Sequence, residues 1–332
     1  MRPESLPPAE YLMYVLGGKG RAQAVSTAAA WQLADRLADG PRTAASLAEE
    51  IGCDEAALAS VLRVCAGLGF FESARPGEFV VTERGRALRG DQLGPMADFV
   101  GRSEQWDPWA RLRDVRGDAT AFQIAHGAGL YEWMARHPAA AARYDAAIDA
   151  FTRHEVGALR AAFDFATVRQ VVDVGGGRGT LLAEVLDGWP HLRGILFDLP
   201  HVVERAAPAL RQRFGPRVEL RGGDFFGDLP EGADAYLIKR VLHNWSDARA
   251  TDLLRRCAAA MAPDGRILAI EAVLSPDHRA DMAATMDLEM QVLLGGRVRR
   301  KPELRRLFAD AGLTIERFEP LSGGSWLVVA AR

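Results

Sequence analysis

Cysteine is scarce in this chain. Cys53, Cys65 and Cys257 make an odd number without Cys-x-x-Cys spacing, so neither a disulfide framework nor a zinc site is signalled. Charge of one sign is also lacking: 41 Lys and Arg stand against 44 Asp and Glu, a formal net charge of -3. That balance offers no general attraction to nucleic acid or acidic lipid. No apolar run is long enough to cross a membrane, and the opening MRPESLPPAEYLMY has no basic segment followed by an apolar one. His126, His154, His191 and His201 show no His-x3-His pattern, so no metal is expected. There is no internal repeat. Together these absences predict a soluble, globular, cytoplasmic protein that partners neither membrane nor nucleic acid.

What is present divides the 332 residues into two domains by the usual length prior. Residues 10–90 read as short amphipathic helices closed by a hairpin. Ala28 to Ala38 carries Trp31, Leu33, Ala34 and Leu37 on one side, and Gly40-Pro41 ends it. Thr43 opens a second helix that Gly52 breaks, and Asp54 caps a third with Leu58, Val61, Leu62 and Cys65 inward. Phe70-Phe71 and Phe79-Val80-Val81 flank an Arg75-Pro76-Gly77 turn. Helix, helix and hairpin make a winged helix, which raises a DNA-binding regulator as one reading. The third helix, however, offers a single basic residue, Arg63, against Asp54 and Glu55, too little to neutralise phosphates. Packing or dimerisation suits this domain better.

Residues 91–165 are helical and rich in aromatics: Trp106, Trp109, Phe122, Tyr131, Trp133, Tyr144 and Phe151. Any one of these suits a core; as a group they can wall a pocket for a flat apolar substrate.

Residues 166–332 alternate strands and helices, an α/β pattern. Val171 to Val174, with Asp173 near its end, is β-branched enough for a strand buried on both faces. Gly175, Gly176, Gly177 and Gly179 then allow a tight turn and close approach to a ligand. Leu181, Leu182, Val185 and Leu186 follow at helical spacing. A dinucleotide fingerprint needs its third glycine where this chain has Thr180, so the turn suits S-adenosylmethionine better than NAD. Asp198, followed by Leu199, ends a second strand where an acid can accept both hydrogen bonds of a ribose diol. Asp224 and Phe225 follow a third short strand, placed to bond an adenine amine and cover its face. Ala235 to Lys239 is a fourth strand, ending near His243. Ser246 caps a helix, and Arg266 to Val273, carrying Glu271, is a fifth. Leu313 to Glu319 and Ser325 to Ala330 can add an antiparallel hairpin. The predicted fold is a Rossmann-like, mostly parallel seven-stranded sheet with that hairpin at its C-terminal end, behind the winged-helix-like domain.

In order and spacing, VVDVGGGRG, ILFDLPHVV, GGDFF, LIKRVLHNWSD and GRILAIEAV resemble the plant-type S-adenosylmethionine-dependent small-molecule O-methyltransferases and their bacterial natural-product branch. HGAGLYEWMARHP and LFADAGL extend the resemblance over nearly the whole chain. It implies a homodimer interlocked through the N-terminal domains and a catalytic domain over 91–332, its first part on the substrate side. S-adenosyl-L-methionine would be converted to S-adenosyl-L-homocysteine without a metal. Gly175 and Gly177 would cradle the methionine end, with Asp173 beneath and Thr152 near the carboxylate. Asp198 would hold the ribose, and Leu199 would also contact the cofactor. Asp224, Phe225 and Trp245 would frame adenine, and Lys239 would close the site. His243 would be the general base toward an aromatic hydroxyl, oriented by Glu271. Phe122, Trp133, Met286 and Met290 would line the acceptor site. An imidazole, with an ordinary pKa of about 6.5, can take a phenol's proton as the oxygen attacks.

Three departures qualify this reading. Asn244 stands where the family usually has an aspartate, and Val298 where it commonly has a second glutamate beside the base. The run Arg297, Arg299, Arg300 and Lys301 reads as a solvated face, with an anionic group on the substrate as the alternative. An N- or C-methyltransferase, and a non-methylating relative of hydroxylase or cyclase type, therefore stay open beside O-methylation in natural-product biosynthesis.

Overall fold

The computed structural model describes residues 5–277, 281–321 and 324–332, and the chain forms two compact units. Unit 1 comprises residues 1–106 and 138–151, and unit 2 residues 107–137 and 152–332. The chain opens with helices α1 (Pro8–Leu16), α2 (Gly18–Ala30) and α3 (Leu33–Arg36), then strand β1 (Arg42–Thr43). The single helix expected from Ala28 to Ala38 is interrupted at Gln32, whose φ of 53° is left-handed and stops the α2 ladder. The apolar spacing runs through the break because α3 restarts on the same core, where Leu33, Ala34 and Leu37 are buried. Helices α4 (Ala44–Ile51) and α5 (Glu55–Gly67) begin where the sequence puts them: the Thr43 and Asp54 side chains accept from the N–H groups of Ser46 and Ala57. Strands β2 (Phe71–Arg75) and β3 (Glu78–Val81) pair antiparallel, and β1 adds to β3, giving a three-stranded wing of order β1-β3-β2. Leu47, Leu58, Leu62 and Phe71 fill the core beneath it.

Helices α6 (Gly94–Val100), α7 (Ser103–Arg111), α8 (Ala121–His126), α9 (Leu130–Arg136) and α10 (Pro138–Ala162) follow. The sheet of unit 2 is then built by β4 (Gln170–Val174), α11 (Thr180–Gly188), β5 (Arg193–Asp198), α12 (Pro200–Phe214), β6 (Val218–Gly222), β7 (Ala235–Lys239), α13 (Asp247–Ala260) and β8 (Arg266–Ala272). Helices α14 (Met282–Leu293) and α15 (Lys301–Asp310) and strands β9 (Thr314–Pro320) and β10 (Ser325–Ala331) complete it. The seven strands run β6-β5-β4-β7-β8-β10-β9. Strands β4 to β8 are parallel, and β10 lies antiparallel between β8 and β9. Residues 322–323 of the C-terminal hairpin lie outside the described residues.

Both faces of this sheet are covered, which is why its inner strands β4, β5, β7, β8 and β10 are buried almost throughout rather than alternating. Val172 and Val174 join a cluster with Leu253, Leu254 and Phe308 on one face. Val171 packs with Leu159, Leu182 and Leu186 on the other. Chain order reverses between β4 and β7, so their C-terminal ends diverge into helices on opposite sides and leave a crevice. The glycine turn and His243 both follow these two strand ends.

Candidate active site

The turn after β4 is held by backbone bonds. The Gly175 N–H donates to the Phe197 carbonyl at 2.8 Å, and Gly175, Gly177 and Gly179 have φ of 69°, 59° and 76°. A Cβ on Gly176 would stand 2.6 Å from the Asp173 carboxyl, so the turn closes over that acid only with glycine there. Asp198, at the end of β5, accepts from the Gly177 N–H at 2.8 Å and the Leu199 N–H at 2.7 Å. Those bonds tie two strand ends together, and each carboxylate oxygen retains a lone pair for a diol. Burial pushes the Asp198 carboxyl up, against the pull of the two N–H donors.

Asp173 is 1% exposed, and its Oδ2 has no hydrogen-bond partner among the described residues. The charge of Lys239, buried at the end of β7, and the Leu182 N–H partly offset its burial. Lys239 Nζ lies 2.9 Å from Glu155 Oε2 and donates to Thr152 Oγ1 at 3.2 Å. Glu155, 1% exposed on α10, also accepts from Arg240 at 3.1 Å, and it bonds Ser325 of β10. Desolvation lowers the Lys239 pKa while Glu155 raises it; Glu155 itself is held below its ordinary value by Arg240 and Lys239 despite burial. Removing one member of such a buried set would strand the others.

Phe225 lies over the glycine turn: a Cβ on Gly175 would be 3.6 Å from its ring. Phe226 and Trp245 meet edge to face with centroids 5.0 Å apart, and Phe225 and Trp245 with centroids 6.1 Å apart. The Trp245 Nε1 is buried without a partner among the described residues. Asp224 is exposed, its Oδ1 accepting from the Phe226 N–H at 2.9 Å. An unpartnered buried carboxylate oxygen, a turn without Cβ atoms and a half-buried aromatic pair fit a ligand with a cationic amine at one end and a flat base at the other.

Past β7 the chain turns through Arg240, whose φ of 56° is left-handed. That strain costs roughly 1–2 kcal/mol for a residue with a side chain, and it redirects the backbone so that His243 faces back to the sheet. Glu271 on β8 receives it: His243 Nδ1 is 2.6 Å from Oε2, while Oε1 accepts from the Val241 and Leu242 N–H groups at 3.1 and 2.8 Å. His243 and Glu271 are 6% and 2% exposed. Asn244 Nδ2 donates to Tyr131 of α9 at 3.0 Å and to the Arg240 carbonyl at 3.2 Å.

Arg299 corrects the solvated-face reading of the basic run. It is 3% exposed and donates to the Leu242 and Trp245 carbonyls at 2.9 and 2.8 Å and to Asp247 at 2.8 Å. Its guanidinium is turned inward onto the carbonyls of segment 242–245, adding to the Trp245 N–H bond on the Leu242 carbonyl and meeting the Trp245 carbonyl. Arg297 pairs with Glu303, and Lys301 lies 3.4 Å over the Trp326 ring. Val298 is 1% exposed and packs with Ala272, Ala283 and Met290.

Of the acceptor-site candidates, Phe122 is fully buried against His126 and Trp133. Trp133 is half-buried and stacks on His137 at 3.8 Å. Met286 is half-buried, with Arg240 Nη1 3.2 Å from its Sδ, and Met290 is buried in the Val298 cluster. Sequence reasoning missed Glu155, Arg240 and Glu289. An isolated acid on a helix carries no signal, but Arg240 adjoins a strand end in a motif already singled out. Among the described residues no group of three or more His, Cys, Asp or Glu could hold a metal ion, and no helix is long and apolar enough to cross a membrane.

Burial, with the charge of Asp198 adding to it, pushes the Asp173 carboxyl up to about 7 from an ordinary 3.8. Between those values the folded chain keeps a proton that the unfolded chain has released. Stability therefore falls as pH rises through the window from about 4 to about 7, and the loss is complete above it. Asp173→Asn cannot ionise, so it should gain on the wild type across that window by on the order of 4 kcal/mol, read from urea unfolding. Parallel pH profiles for the two proteins would contradict this.

The sequence pattern of the O-methyltransferase domain matches residues 109–314, and that of the O-methyltransferase dimerisation domain matches residues 15–90. The chain is similar to the phenazine O-methyltransferase PhzM of Lysobacter antibioticus, at 35% identity over 99% of this chain and 98% of that one. It is also similar to the 8-amino-8-demethylriboflavin N,N-dimethyltransferase of Streptomyces davaonensis, at 36% identity over 90% of this chain and 88% of that one. Among solved structures it resembles CalO1, a methyltransferase in calicheamicin biosynthesis in its S-adenosylhomocysteine-bound form. That likeness has a TM-score of 0.85 and 32% identity over 97% of each chain. With both domain patterns matched and the relatives covered nearly end to end, the chain belongs to the S-adenosylmethionine-dependent O-methyltransferases, in their bacterial natural-product branch.

Proposed function

We propose that this enzyme methylates a hydroxyl of an aromatic small molecule in natural-product biosynthesis, with His243 as general base. The observation that carries this reading is the His243 Nδ1 to Glu271 Oε2 bond of 2.6 Å. An ionised carboxylate only accepts, so the imidazole proton sits on Nδ1 and the Nε2 lone pair is left for an acceptor hydroxyl. As the hydroxyl's proton moves to Nε2, with Nδ1–H kept on Glu271, the Glu271 charge stabilises the imidazolium that forms. The cofactor supplies an electrophilic methyl group. Most of the acceleration comes from holding acceptor and cofactor in contact.

Asp173, Gly175, Gly177, Thr152 and Lys239 are assigned to the methionine end. The unpartnered Asp173 Oδ2 supports this, since an ammonium there would complete its bonding. Asp198 takes the ribose, and Leu199 also contacts the cofactor; Asp224, Phe225 and Trp245 take adenine. Trp133 and Met286, both half-buried, face the acceptor, with Phe122 and Met290 packed behind them. We assign residues 10–90 to dimerisation and 91–332 to catalysis, 91–165 on the acceptor side and 166–332 as the cofactor sheet. A homodimer is supported by α1, which exposes Tyr11, Leu12, Met13, Tyr14, Val15 and Leu16 and buries nothing.

An amine acceptor is the second reading. The relative that dimethylates an aminoriboflavin supports it, as does Val298, which leaves Glu271 as the carboxylate bonded to His243.

Mass spectrometry after incubation with S-adenosylmethionine and a panel of hydroxylated aromatics and amines should find a product one methyl heavier. His243→Ala should cut turnover about 10²- to 10⁴-fold with S-adenosylhomocysteine affinity unchanged. An O-methylated product formed as fast by the variant would remove His243 from the chemistry. Light scattering at micromolar concentration should report a dimer, and a monomer there would sink that assignment.

A further inference from the structure

Glu289 sits on α14 three residues beyond Met286, on the same helix face. Met286 is fixed against the site by Arg240, whose Nη1 lies 3.2 Å from its Sδ. Just past the helix, the Arg297 N–H donates to the His243 carbonyl at 2.8 Å. Gly296 comes so close to that carbonyl that a Cβ on it would stand 2.0 Å from the oxygen. The stretch carrying Glu289 is thus anchored to the His243 segment on both sides. Arg240 and His243 both act electrostatically on the Glu289 carboxyl. Yet Glu289 is only half-buried, and it makes no hydrogen bond or ion pair among the described residues.

A carboxylate drawn from water without a donor costs free energy that a bound donor would recover. Here burial outweighs the neighbouring cations and pushes the Glu289 carboxyl above its ordinary value. The two carboxylates near His243 therefore differ in kind. Glu271 is saturated by Nδ1 and two backbone N–H groups, and Glu289 has no donor among the described residues. Position 298 cannot contribute, since Val298 is packed in an apolar cluster.

We propose that Glu289 is a specificity-determining residue that receives a second hydrogen-bond donor of the acceptor, an amino or hydroxyl group ortho to the oxygen that His243 deprotonates. The inference rests on the assignment of the acceptor to the Nε2 side of His243. It names the substrate class as ortho-aminophenols and catechols on an aromatic frame, in preference to isolated phenols.

The test is calorimetric binding of naphthol and its ortho-amino and ortho-hydroxy derivatives to the protein saturated with S-adenosylhomocysteine. Wild type, Glu289→Gln and Glu289→Leu are compared. The wild type should bind the two derivatives about tenfold or more tightly than naphthol, since a hydrogen bond to a charged group contributes about 1.5–3 kcal/mol. Glu289→Leu should abolish that preference without weakening naphthol, and Glu289→Gln should retain part of it. Unchanged S-adenosylhomocysteine affinity in both variants shows that the fold is intact. Equal affinities in the wild type, or a preference that survives Glu289→Leu, overturns the proposal. Turnover separates this from the wider reading. A Glu289-dependent preference without transfer to any of the three would sink methylation of this class and leave the Glu289 site standing. Transfer to all three with no Glu289 effect would do the reverse.

Discussion

One buried carboxylate sets the geometry of the turn after β7. Glu271 accepts three bonds, from the N–H groups of Val241 and Leu242 and from His243 Nδ1. The first two fix the backbone of the turn after β7, and the third fixes the imbedded ring. A single side chain on β8 therefore determines where the neighbouring strand ends and how its histidine points. Because β7 and β8 are in parallel register, with Lys239 opposite Ile270, the acid is delivered one residue beyond that pair. The sheet itself sets the spacing between Glu271 and His243.

The same turn is braced from two other directions. Arg299 binds the Leu242 and Trp245 carbonyls from below, and Asn244 reaches Tyr131 on α9. Lys239 and Arg240 meet Glu155, so buried positive charge at the end of β7 is neutralised by α10 rather than by water. Asp173 is left partly uncompensated within this arrangement. A site that spends its buried charges on one another and leaves a carboxylate oxygen free beside a glycine turn is organised to admit a cation there.

Much of this was legible in the sequence because its signals are local. The glycine turn, the acid at the end of β5, the caps at Thr43, Asp54 and Ser246, and the succession of five strands before a C-terminal hairpin follow from residues a few positions apart. His243 and Glu271 were readable through their motifs. Glu155, Arg299 and Glu289 were not, because each acquires its meaning from elements remote in sequence. Arg299 illustrates the difficulty: in a run of four basic residues nothing local marks the one that faces inward. The break at Gln32 was hidden for another reason, since apolar spacing persisted across it and only the backbone conformation changed.

The most direct measurement is the steady-state kinetics of Glu271→Gln together with its S-adenosylhomocysteine affinity. The amide can still accept the two backbone N–H bonds but carries no charge to stabilise an imidazolium on His243. The account predicts a kcat lower by up to about 10⁴-fold, because the amide NH2 facing Nδ1 leaves His243 in the wrong tautomer, at unchanged cofactor affinity. A kcat equal to that of the wild type would contradict it.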